Sequence, residues 1–123
     1  MSKVQSFKDL ILWQKAHNLT LQVYKNTQDF PSIEIYGLTS QMRRAAYSIP
    51  ANIVEGHARN GKKEFLRFLN ISRASLEELK YFTFLASDLK YLTKTNYEIL
   101  NDLQIEVSKI LYSFSKNLII KTE

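Results

Sequence analysis

Residues that interrupt helices are scarce in this chain. Two prolines and three glycines are spread over 123 residues, and apolar side chains recur every three or four positions between them. Because proline cannot continue a regular helix and glycine weakens one, their scarcity favours a few long helices over many short strands. A chain of this length forms one hydrophobic core. The sequence therefore predicts a single all-α domain over residues 1–123.

Four amphipathic segments follow from the helical spacing of the apolar residues. The predicted helices run from Phe7 or Lys8 to Gln28, from Tyr36 or Leu38 to Arg59, from Lys62 to about Leu89, and from about Thr95 to Leu118. The loops between them are short. Short loops join antiparallel neighbours, so we predict an antiparallel up-down-up-down four-helix bundle.

Pro50 lies inside the second helical segment. It removes one backbone hydrogen bond and crowds the carbonyl of Ala46, yet the apolar spacing continues beyond it. We expect a helix kinked at Pro50, with a break into two shorter helices as the alternative. Thr39 or Ser40 lies near enough to cap the start of this helix. Near its end, Gly56 either lets a neighbouring backbone approach closely or weakens the last turn.

The start of the fourth helix carries two capping signals. Thr93 is a possible N-cap, and Thr95 with Glu98 three residues later matches a capping box. Either one would satisfy free backbone N–H groups in the first turn of the helix.

The third and fourth helices carry more apolar surface than one bundle core can cover. Past Leu79, apolar side chains surround almost the whole third helix, and the fourth helix has a second apolar stripe that faces away from its main one. This surplus predicts self-association, although isolated exposed apolar residues are common in monomers. The candidate interface residues are Tyr81, Phe84, Leu85, Ile105, Tyr112 and Ile119.

The positive charge of the chain is concentrated in one stretch. Residues 43–73 contain seven Lys or Arg side chains against two Glu, which equals the whole net charge of +5. A local excess of cations indicates a polyanion partner, with an ordinary solvated surface as the alternative. Tyr36 and Tyr47 are candidates for stacking on bases, but we expect both to pack against the protein. The candidate nucleic-acid-binding residues are Arg43, Arg44, Arg59, Lys62, Lys63 and Arg67.

These six cations fall into two groups. The last four surround the turn after the second helix, so we expect them at one end of the bundle. Arg43 and Arg44 lie outside the apolar stripe of the second helix, which predicts that they face solvent or a neighbouring subunit.

The sequence lacks the patterns typical of catalytic or metal sites. There is no cysteine, no glycine-rich phosphate loop and no nucleophile elbow. Glu55 and His57 are two residues apart, so their side chains diverge around a helix, and His17 is expected to be a partly buried structural residue. We therefore predict a protein that is not an enzyme and uses no metal or other cofactor. Without a signal peptide or an apolar segment of membrane length, a cytoplasmic location without membrane contact is predicted.

Several segments of the chain match a known sequence pattern, and the most specific of them is SIPANIVEG at residues 48–56. The other matching segments are YGLTSQMRRAA at 36–46, KKEFLRFL at 62–69, WQKA at 13–16 and SLEEL at 75–79. In these segments the chain resembles the four-helix-bundle family of 23S ribosomal RNA intervening-sequence proteins. Gly61 stands where the family pattern has a serine that caps the third helix; glycine is a tolerable N-cap.

The resemblance implies a bacterial four-helix bundle that assembles as a ring-like homopentamer and has no established enzymatic activity. It also implies a similarity to the accessory variability determinant of diversity-generating retroelements, a pentameric bundle that binds nucleic acid and a reverse transcriptase. On this basis we expect a non-catalytic oligomer that binds structured RNA or another nucleic acid through repeated basic patches. The alternative is a scaffold that docks a protein partner without touching nucleic acid.

Overall fold

The computed structural model describes the backbone of residues 6–122 and the side chains of residues 6–119. Within that part of the chain all regular structure is helical. The elements are a 3₁₀ helix (Phe7–Asp9), α1 (Ile11–Thr27), a second 3₁₀ helix (Ser32–Glu34), α2 (Leu38–Ala58), α3 (Lys62–Asp88) and α4 (Lys94–Thr122). The four predicted helices are confirmed. The first begins later than predicted, because Leu10 adopts an extended backbone between the 3₁₀ helix and α1.

Each helix packs against its neighbours in the chain, and α1 also contacts α4, which closes the predicted four-helix bundle. The start of α2 lies beside the end of α1, where Arg43 contacts Thr27. The start of α3 in turn lies beside the end of α2, where Phe65 contacts Gly56. Phe65 and Phe114 pair near one end of α3 and α4, and Thr83 and Gln104 pair nearer the other, so all consecutive helices are antiparallel. Apolar side chains from all four helices, such as Leu19, Ile49, Leu76 and Leu100, fill the core.

The second helix continues without interruption through Pro50, so the alternative of two shorter helices is wrong; the kink stays a prediction. Pro50 has no N–H, which leaves the carbonyl of Ala46 without its usual helical donor. The hydroxyl of Thr20 on α1 fills this vacancy at 3.1 Å from the Ala46 oxygen, while also lying 2.9 Å from the Ala16 oxygen. Because Thr20 is buried, water cannot easily replace it.

Gly56 marks the closest approach of α2 and α3. A Cβ atom at this position would lie 2.9 Å from both Phe65 Cδ1 and Phe68 Cβ, which is closer than carbon atoms pack. The first of the two predicted roles of Gly56, close approach of a neighbour, is therefore confirmed. Two helical turns after Phe65, the buried hydroxyl of Ser72 donates to the Ile49 carbonyl at 2.9 Å, which is a second contact between α3 and α2.

The helix caps differ from the predictions in two places. Gly37 is the N-cap of α2, and the Leu38 N–H donates to Glu34 Oε1 at 3.0 Å; Thr39 and Ser40 already lie inside the first turn, so neither caps it. At α4 the predicted cap is confirmed, since Thr93 Oγ1 accepts the N–H of Asn96 at 3.1 Å. The capping box at residues 95 and 98 is wrong, because both residues lie inside the helix.

The contact between Thr20 and the Ala46 carbonyl leads to a test of the α2 core. Thr20→Val keeps the side-chain shape but leaves the carbonyl unpaired, so the free energy of unfolding is expected to fall by about 1–3 kcal/mol. In a Pro50→Ala background the backbone N–H at position 50 is restored and donates to the Ala46 carbonyl. Thr20→Val is then expected to lower the free energy of unfolding by less. Denaturant unfolding of the four proteins measures this coupling. Equal costs of Thr20→Val in both backgrounds would contradict it.

Candidate nucleic-acid interface

Four of the predicted cations lie around the turn between α2 and α3, and we call Arg59, Lys62, Lys63 and Arg67 the basic end. Arg59 follows the last residue of α2, and the N-cap of α3 is Gly61 with φ of 89°. A positive φ is the region that glycine adopts without strain, so a single glycine allows the chain to reverse here. The tight reversal brings the cations of both helix ends together, as predicted.

Within the basic end, the two arginines share one aromatic ring. The guanidinium carbons of Arg59 and Arg67 lie 5.1 and 4.4 Å from the centroid of Phe68. Each arginine also pairs with a carboxylate: Arg59 with Glu55 at 2.9 Å, and Arg67 with both oxygens of Glu64 at 3.2 Å. The arginines are thus held in place, but their charges are partly neutralised.

The two carboxylates halve the charge of the basic end. Hydrogen bonds from Arg67 lower the pKa of Glu64, and the charges of Arg67, Arg59 and Lys63 lower it further, so this carboxylate is ionised near neutral pH. The same pairing raises the pKa of Arg67. Four cations face two anions, which leaves an excess of two positive charges at the basic end.

Arg43 and Arg44 lie near the opposite end of α2. Arg44 is exposed, in keeping with the prediction that both residues face solvent or a neighbouring subunit, whereas Arg43 is half-buried because part of its side chain contacts α1. Arg43 Nε donates to Thr27 Oγ1 at 2.8 Å, a terminal nitrogen lies 3.5 Å from the Tyr24 carbonyl oxygen, and the guanidinium carbon is 4.8 Å from the Tyr24 ring centroid. These contacts to the last turn of α1 connect residues 16 or more positions apart, and no local sequence pattern signals them.

A cavity of about 500 Å³ lies beside these two arginines, and we call it the Arg43 pocket. It is lined by Tyr24, Ile35, Thr39, Ser40, Arg43, Arg44 and Tyr47. Neither arginine makes an ion pair with a carboxylate anywhere in the part of the chain that the structure describes. The exposed fraction of Tyr47 is 48%, so part of its ring is open, and Tyr36 is 93% exposed, so the prediction that it packs is wrong.

A second concave surface runs between α3 and α4, and we call it the apolar groove. It encloses about 570 Å³ and is lined by Leu66, Leu69, Asn70, Arg73, Glu77, Ser108, Leu111, Tyr112, Ser115 and Ile119. Two of the predicted interface residues, Tyr112 and Ile119, therefore line the same groove. Ile105 precedes Tyr112 by two helical turns and shares its face of α4.

The remaining predicted interface residues lie on α3. Tyr81 and Phe84 are more than half exposed, at 58% and 53%. Leu85 differs from them because it is partly buried against the core, so it has less surface to offer to a partner. Thr83 receives a hydrogen bond from Gln104, which places the neighbouring Phe84 and Ile105 at the same level of the bundle.

The histidines and acidic residues do not converge. Among the described residues, no three His, Cys, Asp or Glu side chains lie close enough together to hold a metal ion. His17 is exposed and stacks on Trp13 with ring centroids 4.8 Å apart, so its predicted partial burial is wrong. In the described range no helix has the length and apolar character needed to cross a membrane.

Comparison with known proteins identifies the family to which this chain is related. The family model of the 23S rRNA-intervening sequence protein matches residues 8–113. The chain belongs to this family. The resemblance inferred from the SIPANIVEG segment is thereby confirmed. No curated protein matches the chain.

A solved structure supports the same relationship. The crystal structure of a protein with unknown function from the S23 ribosomal protein family of Bacteroides thetaiotaomicron VPI-5482 superposes with a TM-score of 0.77 at 26% sequence identity. The alignment covers 86% of this chain and 99% of that protein. The four-helix arrangement is therefore shared by a relative from the same family.

The cap of α2, which borders the Arg43 pocket, makes stability depend on pH. Hydrogen bonds from the Leu38 N–H and then the Tyr91 hydroxyl lower the pKa of Glu34 below its ordinary value of 4.5. A lowered carboxyl pKa adds stability that is present above 4.5 and lost as the pH falls through the folded-state pKa. We expect Glu34→Gln to lower the unfolding midpoint near neutral pH, and the difference from wild type to shrink under acidic conditions. A difference that stays constant with pH would contradict this role.

Proposed function

We propose that this member of the 23S rRNA-intervening sequence family is a non-catalytic, self-associating bundle that acts in the cytoplasm and binds nucleic acid through phosphate contacts. The observation that carries this proposal is the basic end, where four cations face two carboxylates at one end of the bundle. Clustered Lys and Arg side chains are the usual means of holding a phosphate backbone. The family name, which refers to an insertion in ribosomal RNA, is in keeping with an RNA partner.

The contacts of Arg59 and Arg67 define how such binding would work. Both guanidinium groups are already oriented over Phe68, so little side-chain freedom is lost when a phosphate arrives. A phosphate must, however, compete with Glu55 and Glu64 for the N–H groups of these arginines. Binding by one basic end is therefore expected to be weak and insensitive to base sequence.

Self-association would compensate for weak individual contacts. The apolar groove and its surroundings expose Tyr112, Ile119 and Ile105 at 68%, 50% and 42%, which is unusual for one face of a small monomer. We propose that a second copy of this chain covers this surface and that the assembly is ring-like, with five subunits by resemblance to the family. Several basic ends in one assembly would bind one nucleic acid with increased avidity.

The alternative function, a scaffold for a protein partner, draws on the same ion pairs. If Glu55 and Glu64 fully satisfy Arg59 and Arg67, the basic end needs no phosphate and its charge only aids solubility. The salt dependence of binding separates the two functions, because phosphate contacts release counterions and docking of an uncharged surface does not.

Binding of single-stranded and folded RNA across a salt series tests the phosphate contacts. Lys63→Gln is expected to weaken binding and to reduce the slope of log K against log salt by about 0.7 to 0.9, the contribution of one phosphate contact. Glu64→Gln is expected to strengthen binding, because Arg67 is then released for phosphate. Lys109→Gln and Glu78→Gln make the same charge changes on exposed positions away from the turn and serve as controls.

Two results would overturn this assignment. One is the absence of any RNA binding at low salt. The other is equal effects of Lys63→Gln and Lys109→Gln, which would show that total charge matters and the position of the cations does not.

Sedimentation velocity tests the proposed interface. Tyr112→Glu places a charge on the apolar groove and is expected to dissociate the assembly while leaving helix content unchanged, because the side chain is 68% exposed. Tyr36→Glu makes the same change at a tyrosine that is 93% exposed and lies outside the groove, and is expected to leave the assembly intact. A Tyr112→Glu protein that sediments as wild type would place the interface elsewhere, and a monomeric wild type would remove self-association altogether.

A further inference from the structure

The Arg43 pocket differs from the basic end in how its charge is balanced. In the described part of the chain no carboxylate pairs with Arg43 or Arg44, whereas both arginines of the basic end have a glutamate partner. Glu34, in the 3₁₀ helix before α2, accepts hydrogen bonds from the Leu38 N–H and the Tyr91 hydroxyl and bonds to neither arginine. The two arginines of the pocket therefore have no carboxylate partner among the described residues.

Arg43 is also fixed in direction before any ligand arrives. Its Nε donates to Thr27 Oγ1 at 2.8 Å, and the Thr27 hydroxyl in turn lies 2.8 Å from the Val23 carbonyl oxygen. The carbonyls of the last turn of α1 carry the negative end of the helix dipole, which stabilises the guanidinium there. Only part of the guanidinium fork is used by these contacts, and the remaining N–H groups are available to an anion with several oxygens.

The rest of the lining suits an aromatic group next to that anion. Tyr47 is half exposed, Ile35 is 58% exposed, and both line the cavity together with the two arginines. Base stacking on tyrosine is a common way to hold an unpaired nucleotide.

We propose that the Arg43 pocket binds a phosphorylated nucleoside, with the phosphate on Arg43 and Arg44 and the base against Tyr47. The nucleotide is either free or the phosphorylated end of a single strand. The inference deepens the proposed function. It rests on that function only in the case where the nucleotide is the end of a bound strand. Arg44 lies in the second turn of α2, and Arg59 follows its last residue, Ala58, which is 14 residues or about 21 Å further along the helix, so variants at the two places act separately.

Calorimetric titration with adenosine 5′-monophosphate, adenosine and inorganic phosphate tests the pocket. The monophosphate is expected to bind more tightly than either of its parts, because each part uses only one half of the site. Arg44→Gln is expected to lower the affinity for the monophosphate roughly tenfold, since it removes a charge-assisted contact. Tyr47→Ala is expected to weaken it by a similar factor, and Tyr47→Phe is expected to retain binding.

Lys109→Gln is the matched control. Lys109 is an exposed residue of α4 that lines neither the Arg43 pocket nor the apolar groove, so this change removes the same charge outside both surfaces. The inference is overturned if the monophosphate does not bind, if inorganic phosphate binds equally well, or if Arg44→Gln and Lys109→Gln have the same effect.

Two short oligonucleotides, with and without a 5′-phosphate, identify the source of the nucleotide. Tighter binding of the phosphorylated strand that is lost in Arg44→Gln assigns the pocket to strand ends. Binding of the free monophosphate without any effect of the strand's phosphate assigns it to free nucleotides. Either result supports nucleotide binding in the Arg43 pocket. That support holds even if Lys63→Gln leaves RNA affinity unchanged, a result that would count against phosphate binding at the basic end.

Discussion

The contact of the Thr20 hydroxyl with the Ala46 carbonyl compensates for the proline inside α2. Pro50 withholds the backbone donor that this carbonyl needs, and a buried carbonyl without a partner costs about 1–3 kcal/mol. α1 supplies a donor from a side chain that the Ala16 carbonyl shares, and α2 runs unbroken to Ala58. The continuity of α2 determines the position of everything that follows it in the chain.

Because α2 is uninterrupted, its two ends carry separate groups of cations at a fixed distance. Gly56 brings α3 against the second half of the helix, and the Ser72 hydroxyl bonds to the Ile49 carbonyl in the same interface. This packing places Phe68 where the arginines on both sides of the turn can lie over its ring. At the other end, α1 holds Arg43 through Thr27. The two groups of cations therefore depend on different helix pairs.

Local patterns in the sequence predicted the helices and their order, but not the contacts between them. The apolar spacing is a local signal, and the four helices that it predicts agree with the structure. The Gly61 cap of α3, which the family resemblance implied, agrees as well. The cap of α2 by Glu34 was missed, because Thr39 and Ser40 are the commoner capping residues and the helix begins one residue before them. The position of Arg43 depends on Thr27 in another helix, and helical periodicity describes only the face of one helix.

The balance of charge separates the two groups of cations more clearly than their number does. At the basic end a phosphate must displace a glutamate from each arginine, so much of the gain in one contact is offset by the loss of another. In the Arg43 pocket the Thr27 hydroxyl and the Tyr24 carbonyl orient the guanidinium without neutralising its charge, so an anion there does not have to displace a carboxylate. A strand that touches both ends of α2 would thus be held in position by the Arg43 pocket, while the basic end adds a weaker, salt-sensitive attraction along the backbone.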